Sequence, residues 1–391
     1  SIATAEKTQP EVWTPIQCIQ EIGRQGLAWS DSAKLTKHLT IATQSLLQEC
    51  PDIPRRVARL YQDPLTNQEG SLTPSRNYNS YARGMNEIIQ MKYNDIRSAI
   101  RSGRIADEGC ADGALLAEVS IDFPDSDLYG IDISAEFAHR FQERQRSGDF
   151  GGAYVHFYQR NLLHPIFEPE SVDTVICNST LHELWSYGEE EKTIRDYLKE
   201  KWNQLRPGGR LIIRDVVGPE AGGQQVILKC NMNDGQADLS PEGSREPEAL
   251  QALSTWARFK VFTEDFLAAK PQRAAQLKGY KVLEDGAVSL SLSLAMEFCT
   301  KKDYTDNWSS EMNEEFCFWS YQDWKKVLKE TGFHVVETPN QPENGSRTYC
   351  NDWIIENRYE GKVRLMNLRE EAIRFPATNM VLVAEKGHLE K

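Results

Sequence analysis

Ile105-Ala106-Asp107-Glu108-Gly109-Cys110-Ala111-Asp112-Gly113-Ala114-Leu115-Leu116 runs from an apolar strand, through a turn of small residues, into the start of a helix. Such a turn lets a ligand approach bare backbone at a helix N-terminus, because glycine carries no Cβ and the first N–H groups of a helix have no internal partner. Counted from Gly109, the first, third and sixth places hold Gly109, Ala111 and Ala114, so this is not the glycine spacing of a dinucleotide fingerprint. The pattern is instead an acid, Asp107, followed by Gly109, Ala111 and Gly113 at alternate positions.

Outward from this turn, short apolar runs alternate with helical segments: RIADEG, LYGIDIS, VHFYQRN, VDTVICNS and GRLIIRDVV are the candidate strands. Several are apolar on both faces, as parallel strands covered by helices must be. The alternation predicts a doubly wound, mostly parallel α/β sheet. The pattern stops at Gly218 and resumes with helix YQDWKKVLKETG, strand FHVVET and a last strand TNMVLVAE.

In this order the elements resemble class I S-adenosylmethionine-dependent methyltransferases. The first motif there is an acid followed by alternating glycines, with Ala111 standing here for the middle one. The resemblance implies a seven-stranded Rossmann-like sheet, S-adenosylmethionine as cofactor, and a cofactor site of Asp107, Gly109, Cys110, Ala111 and Gly113. Asp132, with Ile133 beside it, ends the second strand, where a carboxylate can accept hydrogen bonds from both ribose hydroxyls. VHFYQRNLL resembles the segment that meets the adenine, implying Asn161 and its apolar neighbour Leu162. VDTVICNSTLHELW resembles the fourth-strand motif, implying Cys177 and Asn178 beside the methionine part. LRPGGRLIIRD resembles the approach to the fifth strand, with Pro207, Gly208 and Gly209 turning the chain. The likeness covers residues 100 to 217 well and 317 to 386 loosely.

Methyl transfer is an in-line displacement, so a general base is needed only when the nucleophile is protonated at rest. His182, just beyond the fourth strand at the ligand-binding edge of the sheet, is the candidate base, with Glu183 as an orienting or substrate-binding acid; a histidine satisfied by backbone is the alternative. Asp215 reads as a loop cap rather than a metal ligand, and no metal is expected. Tyr78 and Tyr81 precede the helix leading into the sheet, where a lid could form. Trp185 and Tyr187 would face the insertion across a pocket. An enclosed aromatic pocket suits a small acceptor better than a polymer.

The organisation expected is a helical N-terminal region over 1–80, serving as lid or dimer contact, a cofactor-binding core over 81–217, and a helical insertion over 218–316 that caps the substrate. Residues 317–391 then complete the sheet and carry an inserted hairpin at CNDWIIENRYEGKVRLM. The 391 residues carry 45 Lys+Arg against 58 Asp+Glu, a net charge of −13, which disfavours broad binding of nucleic acid. No segment has the roughly 18–20 apolar residues of a membrane span. The eight cysteines show no zinc spacing and read as free thiols in a reducing cytoplasm. The function expected is methyl transfer to the oxygen, nitrogen or carbon of a small molecule in specialised metabolism. An RNA or protein methyltransferase, and a non-catalytic scaffold of the same fold, are the alternatives.

Overall fold

The computed structural model describes residues 88–239, 245–269, 280–338, 340–350 and 352–387. The N-terminal region expected over 1–80, with Tyr78 and Tyr81, lies outside the described residues. In chain order the core begins with α1 (Ile89–Ile96), β1 (Arg104–Glu108), α2 (Ala114–Asp122), β2 (Asp127–Asp132) and α3 (Ala135–Ser147). It continues with β3 (Tyr154–Gln159), β4 (Val172–Asn178), α4 (Leu181–Tyr187), α5 (Glu191–Gln204) and β5 (Leu205–Val216). An excursion follows: β6 (Gln225–Cys230), α6 (Pro247–Ala252), α7 (Thr255–Ala269), β7 (Lys281–Val282), β8 (Ala287–Ser291), α8 (Leu292–Lys301) and α9 (Trp308–Asn313). The chain closes with α10 (Tyr321–Thr331), β9 (Phe333–Val335), β10 (Arg347–Tyr349), β11 (Val363–Met366) and β12 (Asn379–Lys386).

The main sheet has the order β10-β12-β5-β4-β1-β2-β3, with β9 also on β12. Strands β1 to β5 are parallel and β12 runs antiparallel to β5. β9 pairs with Ala384–Lys386 and β10 with Asn379–Val381, so two short strands share one edge position and the sheet is seven strands wide. Period-two side-chain direction sends neighbouring residues to opposite layers. Ile105, Ile176, Ile212 and Val381 pack under α1, α2 and α3, whereas Ala106, Cys177, Ile213 and Leu382 pack under α4, α5 and α10. This double covering is why the strands read as apolar on both faces.

The segment after β5 differs from the helical reading. Besides α6 to α9 it holds three strands, and the second sheet is antiparallel in the order β11-β6-β8-β7. LSLSLAMEFCTKK is divided: its first residues end β8, and Ser291 caps α8 by accepting the Leu294 N–H. The late hairpin is a correction too. Residues 352–359 form helical turns, and β11 crosses to pair with β6, not with β10. The reason is the side-chain pattern: Val363 and Leu365 on one face of β11 enter the core built around Phe259, Phe262 and Phe298.

Candidate active site

The β1 turn depends on close approach. Gly109 and Gly113 have φ of 78° and 82°, in the left-handed region where glycine is favoured. A Cβ on Gly109 would lie 2.1 Å from Thr180 Oγ1, and one on Gly113 would lie 2.5 Å from the Phe141 ring. Ala111 also has positive φ, at 48°, held by its N–H donating to Asp132 Oδ2 at 2.9 Å. Asp132 Oδ1 accepts the Ser134 N–H at 2.8 Å, so one carboxylate joins the ends of β1 and β2.

Two buried acids end β1 with opposite fates. Glu108 accepts from Lys201 Nζ at 2.5 Å and Tyr197 Oη at 2.7 Å, a wholly buried set that ties the turn to α5. Asp107, equally buried, has neither carboxylate oxygen hydrogen-bonded. Burial, reinforced by Asp132 and Glu108 and opposed by Lys92, pushes its carboxyl up to about 8. Burial and Arg214 lower Lys92 to about 7 against the pull of Asp215 and Asp107. A buried carboxylate lacking a donor beside a glycine turn fits the ammonium of an amino-acid ligand.

Across the sheet, β4 and β5 run side by side and bring their C-terminal ends together, with Asn178 opposite Arg214. Asp215 Oδ2 accepts N–H groups at the start of α4, from Leu181 at 2.8 Å and Thr180 at 3.2 Å. Its Oδ1 accepts from His182 Nδ1 at 2.7 Å, and His182 Nε2 lies 3.5 Å from Glu314 Oε2. Burial opposes charge on the imidazole, yet Asp215 and Glu314 outweigh it and hold His182 well above its ordinary value. Burial likewise opposes the Asp215 carboxylate, but His182 and the backbone donors hold it below the usual range. The two carboxylates on either side of His182 therefore favour its charged form. Glu183 completes the group: one side-chain atom each from His182, Glu183 and Glu314 lies within 4.8 Å of the others.

His182, Glu183, Glu314, Lys92 and Arg214 border a cavity of about 230 Å³. Its core wall comes from α1, the β4 and β5 ends and Tyr349. Its far wall comes from the excursion, through Cys299, Tyr304, Glu311 and Phe316, and from Trp353, Arg358 and Tyr359.

The other expected site residues are placed as follows. The Cys177 side chain is fully buried in the layer shared with Tyr197, away from the ligand face, and Cys110 is buried under Gly130. Burial is the leading cause that raises both thiols. Ile133 follows Asp132, and its carbonyl accepts from Gln159 Nε2. Asn161 Oδ1 accepts the Leu163 N–H, an Asx turn, and Leu162 is buried. Asn178 is buried beside Ser179 at the end of β4. Trp185 and Tyr187 do meet the excursion, Trp185 Nε1 donating to Glu315 and Tyr187 Oη to Glu314, yet neither lines the cavity. Glu314, which lines the cavity, was not singled out in the sequence, and Asp215, which holds His182, reads there as a cap. The adjacent parallel strands VDTVICN and LIIRD, ending in Asn178 and Asp215, were the available signal for Asp215.

A family model described as a methyltransferase domain matches residues 106–211, the stretch from β1 to β5. No curated protein shows significant similarity to the chain. Among solved structures, an O-methyltransferase family protein from Burkholderia thailandensis is 15% identical with a TM-score of 0.39, over 80% of this chain and 60% of that one. The geranyl diphosphate C-methyltransferase of Streptomyces coelicolor A3(2) is 12% identical with a TM-score of 0.37, over 77% and 79%. Residues 106–211 thus match a methyltransferase domain, and the strand order and the β1 turn agree with the class I S-adenosylmethionine-dependent methyltransferase fold.

Proposed function

We propose that this methyltransferase alkylates a small organic acceptor held in the cavity between the β4 and β5 ends and the excursion. The observation that carries the reading is the cavity: about 230 Å³, walled on both sides, with the His182–Glu314 pair at its edge. That volume is at or below the lower end for small-molecule sites and too confined for a folded macromolecule.

Bound S-adenosylmethionine supplies an electrophilic methyl group on a sulfonium. Asp107 receives the ammonium, Asp132 the ribose hydroxyls, and the bare backbone of Gly109 to Gly113 the body of the ligand. Asn161 and Asn178 lie along the same edge as polar neighbours of the adenine and methionine ends. On the acceptor side His182, already an imidazolium, has no lone pair to offer. The proton of an acceptor O–H or N–H therefore goes to the Glu314 carboxylate, and His182, itself held by Asp215, orients that carboxylate and stabilises its charge before transfer. Glu183 orients the acceptor. The six described cysteines are all free thiols, which supports a reducing cytoplasm as the compartment.

The test is to incubate the protein with methyl-labelled S-adenosylmethionine and a cell extract, and to follow the label. Incorporation into the small-molecule fraction, lost in Glu314→Gln, is expected. Label that precipitates with protein or RNA would refute the acceptor class.

A further inference from the structure

We infer that the buried Glu297–Lys301 pair of α8 is a positioning device for the reaction, fixing the 314–317 strap so that the Glu314 carboxylate stands against His182. The inference rests on the reading of His182 and Glu314 given above.

Glu297 and Lys301 are one helical turn apart on α8. Lys301 Nζ donates to Glu297 Oε2 at 2.6 Å, and its side chain is wholly buried. The rest of their bonding goes to the backbone of the strap. Lys301 Nζ donates to the Glu314 carbonyl at 2.6 Å, and Glu297 Oε1 accepts the Phe316 and Cys317 N–H groups at 2.8 and 2.7 Å. The Lys301 ammonium lies 4.3 Å from the centre of the Phe316 ring, and that ring meets the His182 imidazole edge-on at 5.0 Å. From the core side, Ser186 Oγ accepts the Glu315 N–H at 2.8 Å and donates to the His182 carbonyl at 2.6 Å. The strap is thus gripped from α8 and α4 at once, and Glu314 leaves it where the two grips meet.

Neither Glu297 nor Lys301 lines the cavity, so neither touches an acceptor. A buried ion pair is a poor source of stability, since its desolvation offsets most of its attraction and apolar residues of the same size often serve as well. What it supplies is direction. One oxygen and one ammonium fix three successive units of irregular backbone, which apolar packing alone would leave free to slide.

The test needs no acceptor. In Glu297→Gln/Lys301→Met the amide oxygen still accepts the strap N–H groups and no unpaired charge is left, while the grip on the Glu314 carbonyl is gone. NMR of isotope-labelled histidine, with His182 assigned from a His182→Gln spectrum, reads the imidazole titration midpoint. The groups facing it are Asp215 from β5, Glu314 from the strap and Glu183 from α4, with Glu311, Lys92, Arg214 and Arg358 around the same cavity. Glu314→Gln is expected to lower the midpoint by about one pH unit, the effect of losing one close carboxylate. The double variant is expected to lower it by a similar amount, with S-adenosylmethionine affinity by calorimetry unchanged. Lys301→Met alone is the second variant and should shift the same way. A midpoint that moves in Glu314→Gln but stays at the parental value in the Lys301 variants overturns the clamp alone. A parental midpoint in Glu314→Gln overturns the His182–Glu314 reading, and the clamp with it.

Discussion

Asp107 and His182 are both deeply buried and ionisable, and their surroundings favour the protonated form of each, which is neutral for the acid and charged for the imidazole. Asp107 has no donor and is pushed up to about 8 by burial, so at neutral pH it is mostly protonated. A ligand ammonium beside it must restore the carboxylate. Binding S-adenosylmethionine at pH 7 should therefore release close to one proton, read as a dependence of the calorimetric enthalpy on the ionisation heat of the buffer. Equal enthalpies in phosphate and Tris would reject the assignment. In the native state Asp107 binds more protons than an unfolded carboxyl over the window from about 4 to 8, so its contribution to stability falls as pH rises through that window. Asp107→Asn should accordingly raise the melting temperature of the ligand-free protein at pH 8.5 by a few degrees while weakening cofactor binding. His182 has the same sign. Its native pKa is raised, so its contribution is complete below its unfolded value and is lost as pH rises through the native one. Asp215, lowered, contributes above its unfolded value and loses this as pH falls through its native one. Asp215→Asn removes one partner of this buried pair and should cost about 3 kcal/mol in denaturant melts. A loss below about 1 kcal/mol would mean the pair is not formed.

Among the elements, the turn after β1 and the start of α4 lock together through Gly109, whose missing Cβ leaves room for Thr180. Gly109→Ala puts a methyl into that contact at a φ of 78°. It should lower stability by about 1–3 kcal/mol and abolish detectable S-adenosylmethionine binding, as thermal melts and calorimetry would show. Unchanged affinity would mean the turn is not the cofactor cradle. These elements were legible because their information is local: apolar runs such as VDTVICN and LYGID, and an acid before spaced small residues, keep their meaning wherever they lie. β6, β8 and β11 were harder to see. AVSLSLSLAMEF can alternate as a strand or repeat as a helix, and only the neighbours supplied by β6 and β7 make Ala287–Ser291 extended. Glu314 was invisible for a related reason. Its place in the cavity comes from a contact with His182, which lies far away in sequence.

For the described molecule as a whole, the sheet of the excursion is completed only by a strand from the C-terminal segment. β6, β7 and β8 precede residue 300, whereas β11 arrives after residue 360, and its Val363 and Leu365 belong to the apolar cluster of the excursion. A fragment of residues 218–316 lacks that strand and should show no cooperative melt by circular dichroism; a sharp transition would show that the excursion folds alone. The dependence has a functional side, since one wall of the cavity and the Glu314 carboxylate both come from beyond the core. The family was readable from β1 to β5, where motif and strand coincide. The acceptor side was not, because it is assembled from α1, α8, the strap and residues 353–359 by long-range packing. Whether the ends of β1 and β2 hold S-adenosylmethionine is decided by calorimetric titration of the parent and of Asp132→Ala with this cofactor. The account predicts saturable binding by the parent, weakened at least about tenfold in the variant, the loss of roughly 1.4 kcal/mol or more from hydroxyl contacts to one carboxylate. Parental affinity in Asp132→Ala, or no binding by the parent, would contradict it.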